Sequence, residues 1–102
     1  MEFKPGSRWK SAVDSTEVVV VRAPNGAITL ECGGAAMIPL GTTAPAGLSL
    51  SAPHSGGTAV GKRYVDAQSG IELLASKAGA GSLSVSGRAV TIKDAKPLPS
   101  SD

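Results

Sequence analysis

The sequence predicts an all-β domain made of two similar halves, and three observations lead there. The first is an internal repeat at an offset of 55 residues. Gly6-x-Arg8-Trp9 returns as Gly61-x-Arg63-Tyr64, Glu17-Val18-Val19 as Glu72-Leu73-Leu74, and Arg22-Ala23-x-x-Gly26-x-Ile28-x-Leu30 as Lys77-Ala78-x-x-Gly81-x-Leu83-x-Val85. The second is turn chemistry recurring every roughly 8 to 12 residues, the spacing of a sandwich or small barrel. The third is that the apolar segments are β-branched or alternate with period two, and none carries a helical period.

In chain order, Thr16 to Arg22 is a β-branched run, Pro24-Asn25-Gly26 is a turn, and Ala27 to Glu31 alternates Ile28 and Leu30 against Thr29, which predicts a hairpin. The second half predicts a meander: Arg63-Tyr64-Val65, Ile71 to Ser76, Ser82 to Ser86 and Ala89 to Lys93, separated by Gly-containing turns. Between them, 41–60 is a loop of small residues in which only Leu48-Ser49-Leu50-Ser51 alternates, as a short edge strand would. Two prolines in Lys96-Pro97-Leu98-Pro99 stop any ladder, so 96–102 is a tail. The expected organisation is a single domain, 1–102, with repeat one over 6–40, repeat two over 61–95, and two meanders packed as a pseudo-symmetric barrel or sandwich. The unbroken Val18 to Val21 predicts a strand covered on both faces and the more central of the two copies. Leu83-x-Val85 predicts one wet face.

Composition bounds the function. With 102 residues, 41% apolar and one each of Phe, Trp and Tyr, the core is filled by aliphatic side chains and is thin, which favours a homodimer. The formal charge is +2, and the ten Lys and Arg residues are scattered along the chain with no run longer than Lys62-Arg63, so nucleic acid is not expected as a partner; the longest apolar run, Val18 to Val21, is far too short to cross a membrane. The start, Met1-Glu2-Phe3-Lys4, lacks the apolar core of a signal peptide, and Cys32 has no second cysteine to bond, so a cytoplasmic location is expected.

Cys32-Gly33-Gly34-Ala35-Ala36-Met37, after the expected hairpin, resembles the second half of a desulforedoxin-type knuckle. There, a Cys-x-x-Cys pair precedes the hairpin, and a Cys-Cys-Gly turn followed by Met closes an iron or zinc site. The resemblance spans residues 8 to 40. Ser11-Ala12-Val13-Asp14 stands where the first pair would be and Glu31 replaces the adjacent cysteine, so three of the four thiolates are absent. The resemblance implies a related backbone. It leaves Asp14, Glu31 and Cys32, with Ser11, as a mixed oxygen and sulfur set for zinc or iron. Otherwise no cofactor is expected, and Cys32 is a small apolar residue beside a glycine turn.

Two further groupings bear chemistry. Cys32 with the single histidine, His54, is the candidate nucleophile pair, with the Gly33-Gly34 amides as oxyanion donors. Arg8-Trp9 and Arg63-Tyr64 occupy equivalent places in the repeat, and two guanidiniums so related would clamp an anionic ligand at the seam. The alternative is that each arginine pairs with Glu17 or Glu72 and stitches its own copy together. No catalytic carboxylate pair is recognisable, and the glycine-rich 77–82 segment joins two strands instead of opening a helix. The expected function is a non-catalytic accessory or partner-binding β module. The alternatives are a metal or redox module at Cys32 and a small-molecule protein or enzyme at the seam.

Overall fold

The computed structural model describes residues 3–93, so the expected tail and the end of repeat two lie outside the described residues. Among the described residues ten short strands form two antiparallel sheets: β1 Arg8–Lys10, β2 Glu17–Arg22, β3 Leu30–Cys32, β4 Ala35–Ala36, β5 Ile38–Pro39, β6 Arg63–Val65, β7 Glu72–Lys77, β8 Leu83–Val85, β9 Arg88–Ala89 and β10 Thr91–Ile92. The larger sheet has the order β10-β6-β7-β2-β1-β5 and the smaller β4-β3-β8-β9. Neither sheet closes on itself. Their inner faces share one core, so the all-β architecture is a sandwich and not a barrel. No helix among the described residues is long and apolar enough to cross a membrane.

Strand alternation decides which side chains enter that core. From the larger sheet come Trp9, Val18, Val20, Tyr64, Leu73 and Ala75. From the smaller sheet and the β4–β5 connection come Leu30, Cys32, Met37, Leu83 and Val85, and Ile71 enters from the end of the β6–β7 turn. The Tyr64 hydroxyl, carried into this apolar setting, accepts a hydrogen bond from the Ala59 amide at 2.9 Å, which satisfies it and ties down the end of the middle loop.

Several expectations are corrected by the sheet to which each strand belongs. The stretch from Thr16 to Glu31 is not a hairpin: β2 pairs with β1 and β7, while β3 pairs with β4 and β8 in the other sheet. Nor is the second half a plain meander, because the chain leaves the larger sheet after β7 and returns to it as β10, beside β6. Val18 and Val20 are buried, but Val19 is half-buried and Val21 is 37% exposed, so β2 is covered on one face only. β2 and β7 sit side by side at the centre, neither more central than the other. Conversely β8 has no wet face. Ser84 is 2% exposed and donates to Glu31 Oε1 at 3.0 Å, across the β3–β8 pair. Residues 48–51 are not a strand, and a single 3-10 turn follows at Ala52–His54.

β6 and β7 follow β1 and β2 by 55 residues, whereas β8, β9 and β10 follow β3, β4 and β5 by 53. The β7–β8 connection is two residues shorter than the β2–β3 connection, so the ungapped register ends there. At the 53-residue offset Cys32 aligns with Val85. The turn Gly33-Gly34, with φ of 66° and 88°, corresponds to Ser86-Gly87, with φ of 49° and 84°. Both are two-residue hairpin turns of the positive-φ kind.

The connection from β7 to β8 crosses between sheets through a crowded point. A β-carbon on Gly79 would stand 2.6 Å from the Thr16 amide nitrogen and closer still to the side-chain oxygens of Thr16 and Asp14. Gly79→Ala is expected to lower stability by about 1–3 kcal/mol, the cost of overpacking against backbone. Gly26→Ala, which meets nothing within 4 Å, should stay within about 0.5 kcal/mol of the parent by denaturant titration. Equal midpoints for the two variants would show that the crossing is not close-packed.

Candidate functional site

The tight turn over 11–16 places Asp14 against Cys32. Ser11 Oγ accepts from the Val13 and Asp14 amides at 3.1 and 3.2 Å, which fixes the turn and brings the Asp14 carboxylate inward. There Asp14 Oδ2 accepts from Thr16 Oγ1 at 2.6 Å and from the Gly81 amide at 2.7 Å. Its Oδ1 accepts from the Cys32 thiol at 3.6 Å. Burial pushes the Asp14 carboxyl up, but hydrogen bonds from Ser11, Thr16, Gly81 and Cys32 outweigh it and hold the group below its usual range.

For Cys32 burial dominates. The residue is fully enclosed, and burial together with the negative charge of Asp14 pushes the thiol up to about 11. It is therefore a protonated donor to a carboxylate, the opposite of the lowered pKa that a nucleophile or a metal-ligating thiolate needs.

The expected metal set is not fully assembled. Ser11, Asp14 and Cys32 converge, but Glu31 alternates to the other face of β3, where its Oε1 accepts from Ser84 Oγ at 3.0 Å and from the Gly87 amide at 2.9 Å. Among the described residues no group of three or more His, Cys, Asp and Glu is placed to hold a metal ion. The nucleophile pair is not formed either. The His54 ring lies against Gly34, while the Cys32 thiol is turned to Asp14.

The Arg-aromatic corners split between the two faces of the larger sheet. Trp9 and Tyr64 point into the core, at 5% and 7% exposure, and Trp9 packs against Phe3 with the rings tilted by 45° at a centroid distance of 4.6 Å. Arg8 and Arg63 point to solvent. They do not pair with Glu17 and Glu72 as expected, because those carboxylates are taken by other cations. Glu17 meets Lys77 at 3.9 Å, and Glu72 meets Arg22 at 3.9 Å and Lys93 at 3.1 Å.

The strand register aligns the two arginines. Arg8 pairs with Val19, Val19 with Leu74 and Leu74 with Arg63, so the four form one row across β1, β2, β7 and β6 on the outer face. Backbone bonds from Leu40 N to Arg8 O at 3.1 Å and from Lys93 N to Arg63 O at 2.8 Å extend the row at either end. Three strand spacings separate the arginines, about 14 Å, too far for one small anion to be held by both. Among the described residues neither arginine makes an ion pair, and neither does Lys10 on the same face.

That face gathers Arg8, Lys10, Arg22, Arg63, Lys77 and Lys93 against only Glu17 and Glu72. Sequence reasoning found Arg8 and Arg63 but missed Val19, Leu74, Lys10 and Lys93 as their companions. The available signal was the two-residue spacing of Arg8 and Lys10 in a strand, which puts both on one face. Comparison with protein-family models, with curated proteins and with solved structures finds no match for this chain.

The state of Cys32 sets a pH dependence. A thiol raised to about 11 from 9.0 stabilises the fold below pH 9, and that contribution is lost as pH rises from 9 towards 11. Cys32→Ala should lose this alkaline component, and at pH 8 the native thiol should react with a disulfide reagent at least about 100-fold more slowly than in the unfolded chain. Equal rates in the two states would place the thiol in solvent.

Proposed function

We propose that the chain is a non-catalytic partner-binding module, two copies of one β unit about a pseudo-twofold axis through the Val19–Leu74 pair, with its recognition surface on the outer face of the larger sheet. One observation carries the reading: Arg8 and Arg63 stand unpaired among the described residues, in register on either side of two half-buried aliphatic side chains. Elsewhere the reactive groups are engaged internally. Cys32, Asp14 and Glu31 spend their hydrogen-bonding capacity on the fold, and Asp66 is held by Arg88 at 2.9 Å, a contact that draws its carboxyl down to about 2.

The excess of cations selects a partner that is acidic at the contact and opposes the pairing of two copies through this face. The expected homodimer is accordingly not part of this reading.

Titration with polyglutamate at low salt, followed by amide chemical shifts, should perturb Arg8, Val19, Arg63 and Leu74. The Arg8→Glu/Arg63→Glu double variant should weaken binding about tenfold or more, and binding should fade as salt shortens the screening length. A control change of like charge, Lys62→Glu, lies off the face and should leave most of the affinity. Equal losses in the two variants, or no binding at all, would contradict the proposal.

A further inference from the structure

Resting on that reading of the outer face, the geometry points to a definite ligand: we infer that the row Leu40–Arg8–Val19–Leu74–Arg63–Lys93 takes an extended acidic segment of a partner protein with the pattern acid-x-apolar-x-acid, laid across the strands.

The spacing gives the pattern. The two arginines lie about 14 Å apart, and an extended chain advances about 3.3 Å per residue, so residues four apart in the partner span them. In an extended chain the residues at i, i+2 and i+4 share one side. Two carboxylates at i and i+4 thus meet Arg8 and Arg63, and the side chain at i+2 comes down on Val19 and Leu74. Those two are half-buried, so they present apolar surface that an aliphatic side chain would cover. At the ends, Leu40 is 40% exposed beside Arg8, and Lys93 stands beside Arg63 with its amine shared with Glu72. The Lys93 end therefore favours a further acid in the partner less than the row centre does.

Competing occupants lack a counterpart here. A nucleic acid strand would want stacking surfaces, and Phe3, Trp9 and Tyr64 are all buried in the core. A second copy would bring two faces together that each carry six cations against only two carboxylates. The strand edges are poor places for β-addition, because β5 and β10 are two residues long and β5 contains Pro39.

The test uses the full chain and a synthetic peptide, Gly-Glu-Ser-Leu-Ser-Glu-Gly, titrated under amide chemical-shift detection. Three comparisons accompany it: the same peptide with Ser for Leu, a peptide of the same composition with its two Glu adjacent, and oligothymidylate. The expected result is binding of the first peptide about fivefold or more tighter than of the other two peptides, with the preference over the Ser peptide reduced by Leu74→Ser and that over the adjacent-Glu peptide by Arg63→Ala. Equal binding of all three peptides on the same face would overturn the pattern while leaving the acidic-partner reading in place. Tighter binding of oligothymidylate than of any peptide would overturn both.

Discussion

The rest of the structure depends on the pairing of β2 with β7. Among the described residues it is the only place where the two halves of the chain share the larger sheet, and each half hangs from it: β1 and β5 on one side, β6 and β10 on the other. The register is Val18 with Ala75, Val19 with Leu74 and Val20 with Leu73, with irregularities at both ends. Magnitudes show what holds it. Val18, Val20 and Leu73 are essentially fully buried, and burying each aliphatic side chain contributes about 1.5–3 kcal/mol. The flanking ion pairs, Glu17–Lys77 and Glu72–Arg22, are 3.9 Å long with lysine and arginine side chains 60% and 73% exposed, so each adds under about 1 kcal/mol. The seam is held by its core face and its backbone ladder, and the charges trim its ends.

The same pairing creates the candidate surface. Because side chains alternate, burying Val18, Val20, Leu73 and Ala75 forces Val19 and Leu74 outward, and the neighbouring strands then set Arg8 and Arg63 beside them. A slip of one residue would exchange the two sets and place arginines in the core. The recognition row is thus fixed by the hydrophobic pattern of the fold. On the other side of the sandwich the chemistry runs inward. The carboxylate of Asp14 links the 11–16 turn, the β7–β8 crossing at Gly81 and the thiol of Cys32, which makes that cluster a brace between sheets.

Much of this was legible in the sequence, and the rest was hidden for physical reasons. β6 falls where Arg63-Tyr64-Val65 was read, and β2 and β7 are within one residue of the expected strands, because β-branched runs and turn residues are local signals. Sheet membership is not local. Pro24-Asn25-Gly26 announces a change of direction but does not say that the chain leaves one sheet for the other, so a hairpin was expected where β2 and β3 are separated. The Val18 to Val21 run suggested burial on two faces because valine on an exposed sheet face looks the same in sequence as valine in the core. Ser84 misled in the opposite sense, since its burial depends on Glu31 across the pair. Of the candidate residues, Ser11, Asp14 and Cys32 converge. Glu31 does not, because adjacent residues in a strand face opposite ways. The basic residues were read as scattered because the register that collects them joins strands 55 residues apart.

Native-state hydrogen exchange tests the central role of the seam most directly. The amides of Val20 and Ala75 bond away from it, to Ser7 and Lys62 at 2.9 and 3.0 Å, so alternation turns those of Val19 and Leu74 towards it. If the β2–β7 pairing carries the fold, the Val19 and Leu74 amides exchange only through global unfolding, with the largest protection in the chain. Exchange of these two amides as fast as that of the edge strands β5 and β10, while the rest of the core stays protected, would contradict the account.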